Sequence, residues 1–190
     1  MATPTDALAR LLAILDRAEI PYSVGGSVAS SAHGIPRTTM DVDLVTDLKP
    51  DQVDEFVSLL EEDFYADAAT IKDALARGRS FNLIHFATAY KFDLFPLRGD
   101  AYSRVEFGRR AFIELHSFGP EPIKCAVATA EDTILRKLEW YRKGGETSER
   151  QWNDLRGILK VSGARLDLAY LRQWAPHLNV ADLLERLLAE

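Results

Sequence analysis

The sequence predicts an α/β fold in two parts, a mixed α/β front over residues 1–128 and an all-helical back over residues 129–190. Two observations lead there. In the front, short runs that alternate or are rich in β-branched and aromatic residues recur at 22–24, 41–45, 81–88 and 90–97, with helical patterns between them. From Glu131 onward every apolar pattern has the helical period, broken only at Gly144-Gly145, at Gly163 and around Pro176.

Taken in chain order, Thr5 is placed as the cap of a first amphipathic helix that carries Leu8, Leu11, Leu12 and Leu15 and ends at Pro21. A strand at 22–24 runs into a Gly25-Gly26 turn. Residues 27–33 then form a short helix closed by Gly34 and Pro36. The run 41–45 is a strand. Residues 50–61 carry Val53, Phe56, Val57, Leu59 and Leu60 on one helical face, and a further helix follows around 68–76, stopped by Gly78. Runs 81–88 and 90–97 are close enough to pair as a hairpin, and 112–118 with 123–126 form another pair of short strands.

The 190 residues are 47% hydrophobic and 27% charged, an ordinary globular balance. A net charge of -6 excludes a surface that grips nucleic acid everywhere, while leaving room for a local basic groove. No apolar run approaches a membrane span, and the N-terminus lacks the apolar core of a signal peptide. The single cysteine, Cys125, has no internal partner and reads as a small buried hydrophobe in a reducing compartment. A cytoplasmic protein without a membrane partner is the expectation.

Asp41 and Asp43 stand two apart on a strand, so their side chains leave one face while Val42 and Leu44 leave the other toward a core. Like charges so close repel, and a divalent cation removes the conflict. Plain exposed strands also carry two acids in this way. The upstream turn distinguishes this pair. Gly25-Gly26-Ser27 lies between a strand and a helix, where glycine lets the backbone approach a ligand closely and the helix N-terminus favours phosphate. Ser27 serves either as a phosphate donor or as a helix cap.

Asp93 is a lone acid between Phe92 and Leu94 on a strand that reads as central, and such an acid needs a metal or a partner. Lys91 shares its face but is not expected to pair with it, because extended backbone holds the two apart. An arginine elsewhere is the alternative.

In order, element type and spacing, Val24-Gly25-Gly26-Ser27, Asp41-Val42-Asp43-Leu44 and Asp93 resemble the signature of the nucleotidyltransferase superfamily of DNA polymerase β type. The resemblance covers about residues 20–97. It implies a polymerase β-like α/β core with a short mixed sheet (1–128), followed by a C-terminal helical subdomain packed on it (129–190). It also implies transfer of a nucleoside monophosphate from an NTP to an acceptor with release of pyrophosphate. Mg²⁺ or Mn²⁺ would be held by the catalytic acids Asp41, Asp43 and Asp93, with Gly25, Gly26, Ser27, Arg37 and Lys137 binding the nucleotide.

Within the superfamily, Arg37-Thr38-Thr39-Met40-Asp41 is similar to the lead into the metal strand of AbiEii-type toxins of abortive-infection and toxin–antitoxin systems. Lys137, and Arg150 with Asp154, match that group's helical lysine and its later arginine and acids. Where the group often has an acid directly after that arginine, Gln151 stands. This resemblance implies an RNA acceptor, such as tRNA, and a cognate antitoxin partner. Two rivals stay open: the same chemistry on a small molecule such as an aminoglycoside, and a catalytically weak nucleotide-binding regulatory protein. The acidic balance leans toward the first, and three intact acids speak against the second.

Other residues carry paired readings. Lys137, beside the stripe of Ile134, Leu138 and Tyr141, either reaches a phosphate along the core edge or snorkels to solvent. Arg37 reaches the triphosphate or acceptor, or pairs with Asp47 or Asp51. Arg104, Arg109, Arg110, Arg142, Lys143 and Arg156 line an RNA groove or form a solvated face. Trp140, Trp152 and Trp174 are expected as core or interface anchors. Histidines 33, 85, 116 and 177 have no metal-ligand spacing, and only His85, on the strand before Asp93, is a candidate.

Overall fold

The structure, a computed structural model, describes residues 3–39, 41–116 and 122–190. Met40, in the lead to the first acid, and the end of the expected strand 112–118 lie outside the described residues. In order the elements are α1 (Pro4–Arg17), β1 (Tyr22–Val24), α2 (Gly26–His33), β2 (Asp41–Thr46) and α3 (Val53–Leu60), then β3 (Phe64–Tyr65), α4 (Ala68–Ala76), β4 (Phe81–His85) and β5 (Lys91–Pro96). There follow α5 (Ala101–Arg109), β6 (Ala111–Leu115), β7 (Ile123–Val127), α6 (Ala130–Lys143), α7 (Glu149–Ser162), α8 (Leu168–Trp174) and α9 (Ala181–Leu188). No helix of the described residues is long and apolar enough to cross a membrane.

The first helix is capped by Thr3, not Thr5. Its hydroxyl accepts from Asp6 N while the Asp6 carboxylate accepts from Thr3 N, and Pro4 takes the position where no amide donor is needed. Thr5 has Leu8 three residues on and no such reciprocal bond to make; it is buried in the first turn. The hairpin strands stop sooner than the 81–88 and 90–97 runs, because Thr88 turns the chain: its hydroxyl bonds His85 Nδ1 at 2.9 Å and accepts from Tyr90 N. Two elements were not expected, the two-residue β3 and α5.

The strands form one mixed sheet of seven, in the order β3-β4-β5-β2-β1-β7-β6. Alternation divides it cleanly. Val42, Leu44, Leu83, Phe92 and Leu94 are fully buried in a core with Leu8, Leu11 and Leu15 of α1, Phe56 and Leu60 of α3 and Ile71 of α4. The opposite face carries Asp41, Asp43, Lys91 and Asp93, with α2 lying between it and α6–α7. A second apolar cluster gathers Ile134, Leu138, Trp152, Leu155, Ile158 and Leu184, joined by Tyr102 of α5. Backbone contact seats α2 on α7: a Cβ at Gly34 would lie 2.8 Å from Ile158 N, so the end of α2 lies against α7 only with hydrogen at that position.

Candidate active site

The parallel pairing of β2 with β5 sets Asp43 beside Asp93 and Asp41 beside Lys91 on the same face. All three acids are half-buried. Burial, followed by the charges of Asp41 and Asp93, pushes the Asp43 carboxyl up to about 6, against weaker lowering by Lys137 and Lys91. Thr39 Oγ1 donates to Asp41 Oδ1 at 2.8 Å, and Tyr90 OH steadies that loop by donating to Thr39 O at 3.0 Å.

Lys91 does pair with Asp93, Nζ to Oδ2 at 2.7 Å, contrary to expectation. Residues two apart on a strand share a face, and the four-carbon lysine stem spans the gap that the backbone leaves. The Asp93 bond in turn raises the Lys91 ammonium.

The glycine turn is built against the acids. Gly25 N donates to Asp43 O at 2.9 Å. Gly26 has φ of 55°, and a Cβ there would stand 1.8 Å from Asp43 Oδ2. Helix α2 starts at Gly26, one residue before the expected start, with Gly25 as N-cap and no side-chain cap bond. Ser27 is therefore not the cap; its hydroxyl accepts from Arg37 Nη2.

Arg37 pairs with neither Asp47 nor Asp51. Its guanidinium forks onto Asp154 of α7, Nε to Oδ1 at 2.8 Å and Nη2 to Oδ2 at 3.0 Å. Lys137 meets the same carboxylate, Nζ to Oδ2 at 2.8 Å, with side-chain exposures of only 10% and 7% for the pair. Lys137 is thus not snorkelling. Burial lowers its ammonium, partly offset by Asp154. Asp154 itself is held below the usual carboxylate range, since Arg37 and Lys137 outweigh the upward push of burial. Ser27, Arg37, Lys137 and Asp154 form one connected cluster beside the acids, and Arg150 is exposed at the rim of the same cleft.

The donor chemistry suits a hard divalent cation, being oxygen-only and carrying more negative charge than Asp43 tolerates unaided. Asp93 is turned to Lys91 and Asp41 to Thr39, and among the described residues no three His, Cys, Asp or Glu side chains already converge in ligating geometry. The acids are gathered but not focused.

The other candidates separate. His85 is buried on the core face, bonded to Thr88 and packed 5.1 Å from the Phe64 ring, away from the acids. Trp152 is buried and Trp174 partly buried, as expected, but Trp140 is 47% exposed and lines the cleft. Most of the basic groove is already engaged. Arg109 binds Glu131 and Asp132, Arg110 the Phe107 carbonyl, Arg142 Asp182 and Glu146, Lys143 Glu139, and Arg156 Glu190. Burial pushes the Cys125 thiol up to about 12, in keeping with an inert core position. Sequence reasoning missed Asp154 as the shared counter-ion of Arg37 and Lys137. It also missed that Trp140 and Gln151 line the cleft.

No family model and no curated protein matches the sequence. Solved structures do. The solution structure of the antibiotic-resistance factor ANT(2'')-Ia superposes with a TM-score of 0.57 at 17% identity, covering 100% of both chains. The crystal structure of that factor in complex with adenylyl-2''-tobramycin gives 0.51 at 16% identity, covering 89% of this chain and 95% of the other. An antigenic nucleotidyltransferase-like protein from Paracoccidioides brasiliensis gives 0.52 at 17% identity over 94% and 93%. Together with the mixed sheet and its helices, these similarities show that the chain has a nucleotidyltransferase fold.

Proposed function

We propose that the chain is a divalent-metal-dependent nucleotidyltransferase. One observation carries the reading: Asp43 stands in register with Asp93 while Gly26 is pressed against its carboxylate. A strand acid pair, a third acid on the neighbouring strand and a bare helix N-terminus within touching distance are what NTP chemistry needs. Asp41, Asp43 and Asp93 would hold Mg²⁺ or Mn²⁺, which when bound neutralises phosphate charge and polarises the acceptor oxygen. The amides of the Gly25–Ser27 turn face the triphosphate, and Arg37 and Lys137 neutralise it. The acceptor hydroxyl oxygen bonds the α-phosphorus, its proton passes toward Asp93, and the bond to the β-phosphate breaks to release pyrophosphate. Catalysis is then mostly positioning and charge neutralisation.

The RNA acceptor implied by the toxin-type resemblance requires a free basic face. Five of the six side chains that would form it already engage acids or a carbonyl. A small cationic acceptor of aminoglycoside type is the version that this charge pattern and the net charge of -6 favour. Labelled NTPs are incubated with total RNA, with aminoglycosides and with protein alone. Label on an aminoglycoside is the expected result, label on RNA restores the toxin-type version, and no label in any arm rejects the enzyme reading.

A further inference from the structure

Helices α6 and α7 carry two successive layers of side chains over the cleft, and nucleotide transfer as derived above uses only the first. Lys137 and Asp154 form that layer, tied through Arg37 to Ser27. Trp140 follows Lys137 by three residues on α6, and Gln151 precedes Asp154 by three on α7. Lys137 pairs with Asp154 and Tyr141 packs 5.0 Å from Trp152 between ring centroids, so the helices run antiparallel. These opposite offsets bring Trp140 and Gln151 to one level, about 5 Å beyond the first layer. Both line the cleft.

Each is unusual in its own way. Trp140 is a large aromatic left 47% exposed. Its ring meets Phe95 edge-on, 6.5 Å between centroids, and lies 5.2 Å from Lys143 Nζ. Phe95 is two residues beyond Asp93 on the same strand face, so the indole stands beside the reacting end of the cleft. Gln151 Oε1 is fully buried and has no hydrogen-bond partner among the described residues. A native fold rarely leaves such an acceptor unpaired, and one at the wall of a cleft calls for a donor from outside the chain.

We propose that Trp140 and Gln151 form the nucleobase subsite, Trp140 as the stacking surface and Gln151 Oε1 as acceptor for an exocyclic amine. This rests on the transfer reading, which sets the triphosphate on the Lys137 layer. A glutamine amide matches the amine and adjacent ring nitrogen of adenine with two bonds, Nε2 donating to the nitrogen. Cytosine offers the same pattern with less stacking area, whereas uracil and guanine present a carbonyl where the amine should be. An acid at this position would accept from the amine but repel the phosphates one layer away. Because Oε1 is the atom that lacks a donor, the site favours the amine-bearing bases, ATP before CTP.

Calorimetric titration of the whole chain with Mg²⁺-ATP, -CTP, -GTP, -UTP and Mg²⁺-tripolyphosphate tests this. The wild type is expected to bind ATP about tenfold tighter than UTP or GTP. Gln151→Leu should bring ATP to the level of UTP with tripolyphosphate affinity unchanged. Trp140→Ala should weaken all four nucleotides about fivefold or more, again sparing tripolyphosphate. Because Trp140 is about half exposed, the variant is expected to fold, and a thermal melt verifies it. Equal wild-type affinity for all four bases, or nucleotide affinities untouched by both substitutions, overturns the subsite while leaving the transfer reading standing. A wild type that binds neither tripolyphosphate nor any NTP removes the transfer reading and the subsite together.

Discussion

Gly26 and Asp43 occupy one another's space: a Cβ at position 26 would meet Asp43 Oδ2 at 1.8 Å and Asp43 Cβ at 2.9 Å. The carboxylate can swing aside, but its Cβ is fixed by β2. Gly26 also has φ of 55°, a conformation that costs a side-chain-bearing residue about 1–2 kcal/mol. Gly25 differs in both respects, with φ of -125° and nothing nearer than Asp43 O at 4.0 Å from its virtual Cβ.

Gly26→Ala is accordingly expected to lower stability by about 2 kcal/mol and to abolish transfer, whereas Gly25→Ala folds normally. Combining Gly26→Ala with Asp43→Gly should recover part of the lost stability, because it removes the fixed Cβ as well as the carboxylate. Chemical denaturation of the four proteins checks this, and strictly additive losses would show that the two residues do not compete for space.

Asp43 makes the metal-free protein sensitive to pH. Burial and the charges of Asp41 and Asp93 lift its folded carboxyl to about 6, well above the usual carboxylate range. A carboxyl raised on folding favours the native state while neutral, so its contribution is present below about pH 4 and lost as pH rises through about 6. In EDTA, wild type minus Asp43→Asn stability should fall between pH 4 and 6 and stay level above. Two pH units correspond to at most about 3 kcal/mol. A difference independent of pH would mean that Asp41, Asp93 and burial do not strain Asp43.

Asp154 ties together Arg37 and Lys137, the two cations proposed to face the triphosphate. Asp154→Asn leaves the buried Lys137 without its counter-charge and should destabilise the protein by about 3–5 kcal/mol. Lys137→Met is milder for stability, since Arg37 still satisfies Asp154, but it should raise the NTP concentration needed for transfer. Lys143→Ala is the comparison for charge alone: that lysine is about half exposed and pairs with Glu139 outside the cluster. Any effect through the neighbouring Trp140 ring should fall on base discrimination and spare tripolyphosphate binding. Indistinguishable kinetics for Lys137→Met and Lys143→Ala would remove Lys137 from the nucleotide site.

Sequence reached the parts of this protein that are local. The alternation of 41–45 gives both the buried face and the acid pair, and the glycine turn is legible because few other sequences tolerate its geometry. The seven-strand order and the β2–β5 register are long-range, and only the motif resemblance hinted at them. Helix α5 was invisible because Tyr102, Val105 and Phe107 make no continuous stripe; Val105 is exposed, and the helix is begun by the Asp100 cap instead. Arg37 and Asp154 are 117 residues apart, so no spacing rule could join them. Trp140 reads as a core residue by period alone, since the cleft that leaves it half open is made by other elements.

Asp93 has two available roles, metal ligand or partner of Lys91. The pair is formed at 2.7 Å, with Lys91 44% exposed, so the bridge itself is worth no more than about 1 kcal/mol. If pairing were the whole function, Lys91→Ala and Asp93→Asn would behave alike, each costing little stability and leaving transfer intact. If Asp93 is a metal acid, the two diverge. Lys91→Ala removes a positive charge that competes for Asp93 Oδ2 and lowers Asp43, so the acids repel more strongly when empty and attract a cation more strongly. Half-maximal transfer should then move to lower Mn²⁺ concentration, by a few fold, with the melting point of the metal-free protein unchanged or slightly reduced. Asp93→Asn relieves that repulsion, so the metal-free protein melts at the same temperature or higher, while transfer falls by about a hundredfold or more. It should also lose most of the stabilisation that Mn²⁺ with NTP gives the wild type, about 2.7 kcal/mol at a hundredfold excess over the dissociation constant. Melts with and without Mn²⁺ and NTP, beside a transfer assay, decide the matter for both variants. Full stabilisation and full activity in Asp93→Asn would assign the residue to Lys91 and leave Asp41 and Asp43 alone with the metal.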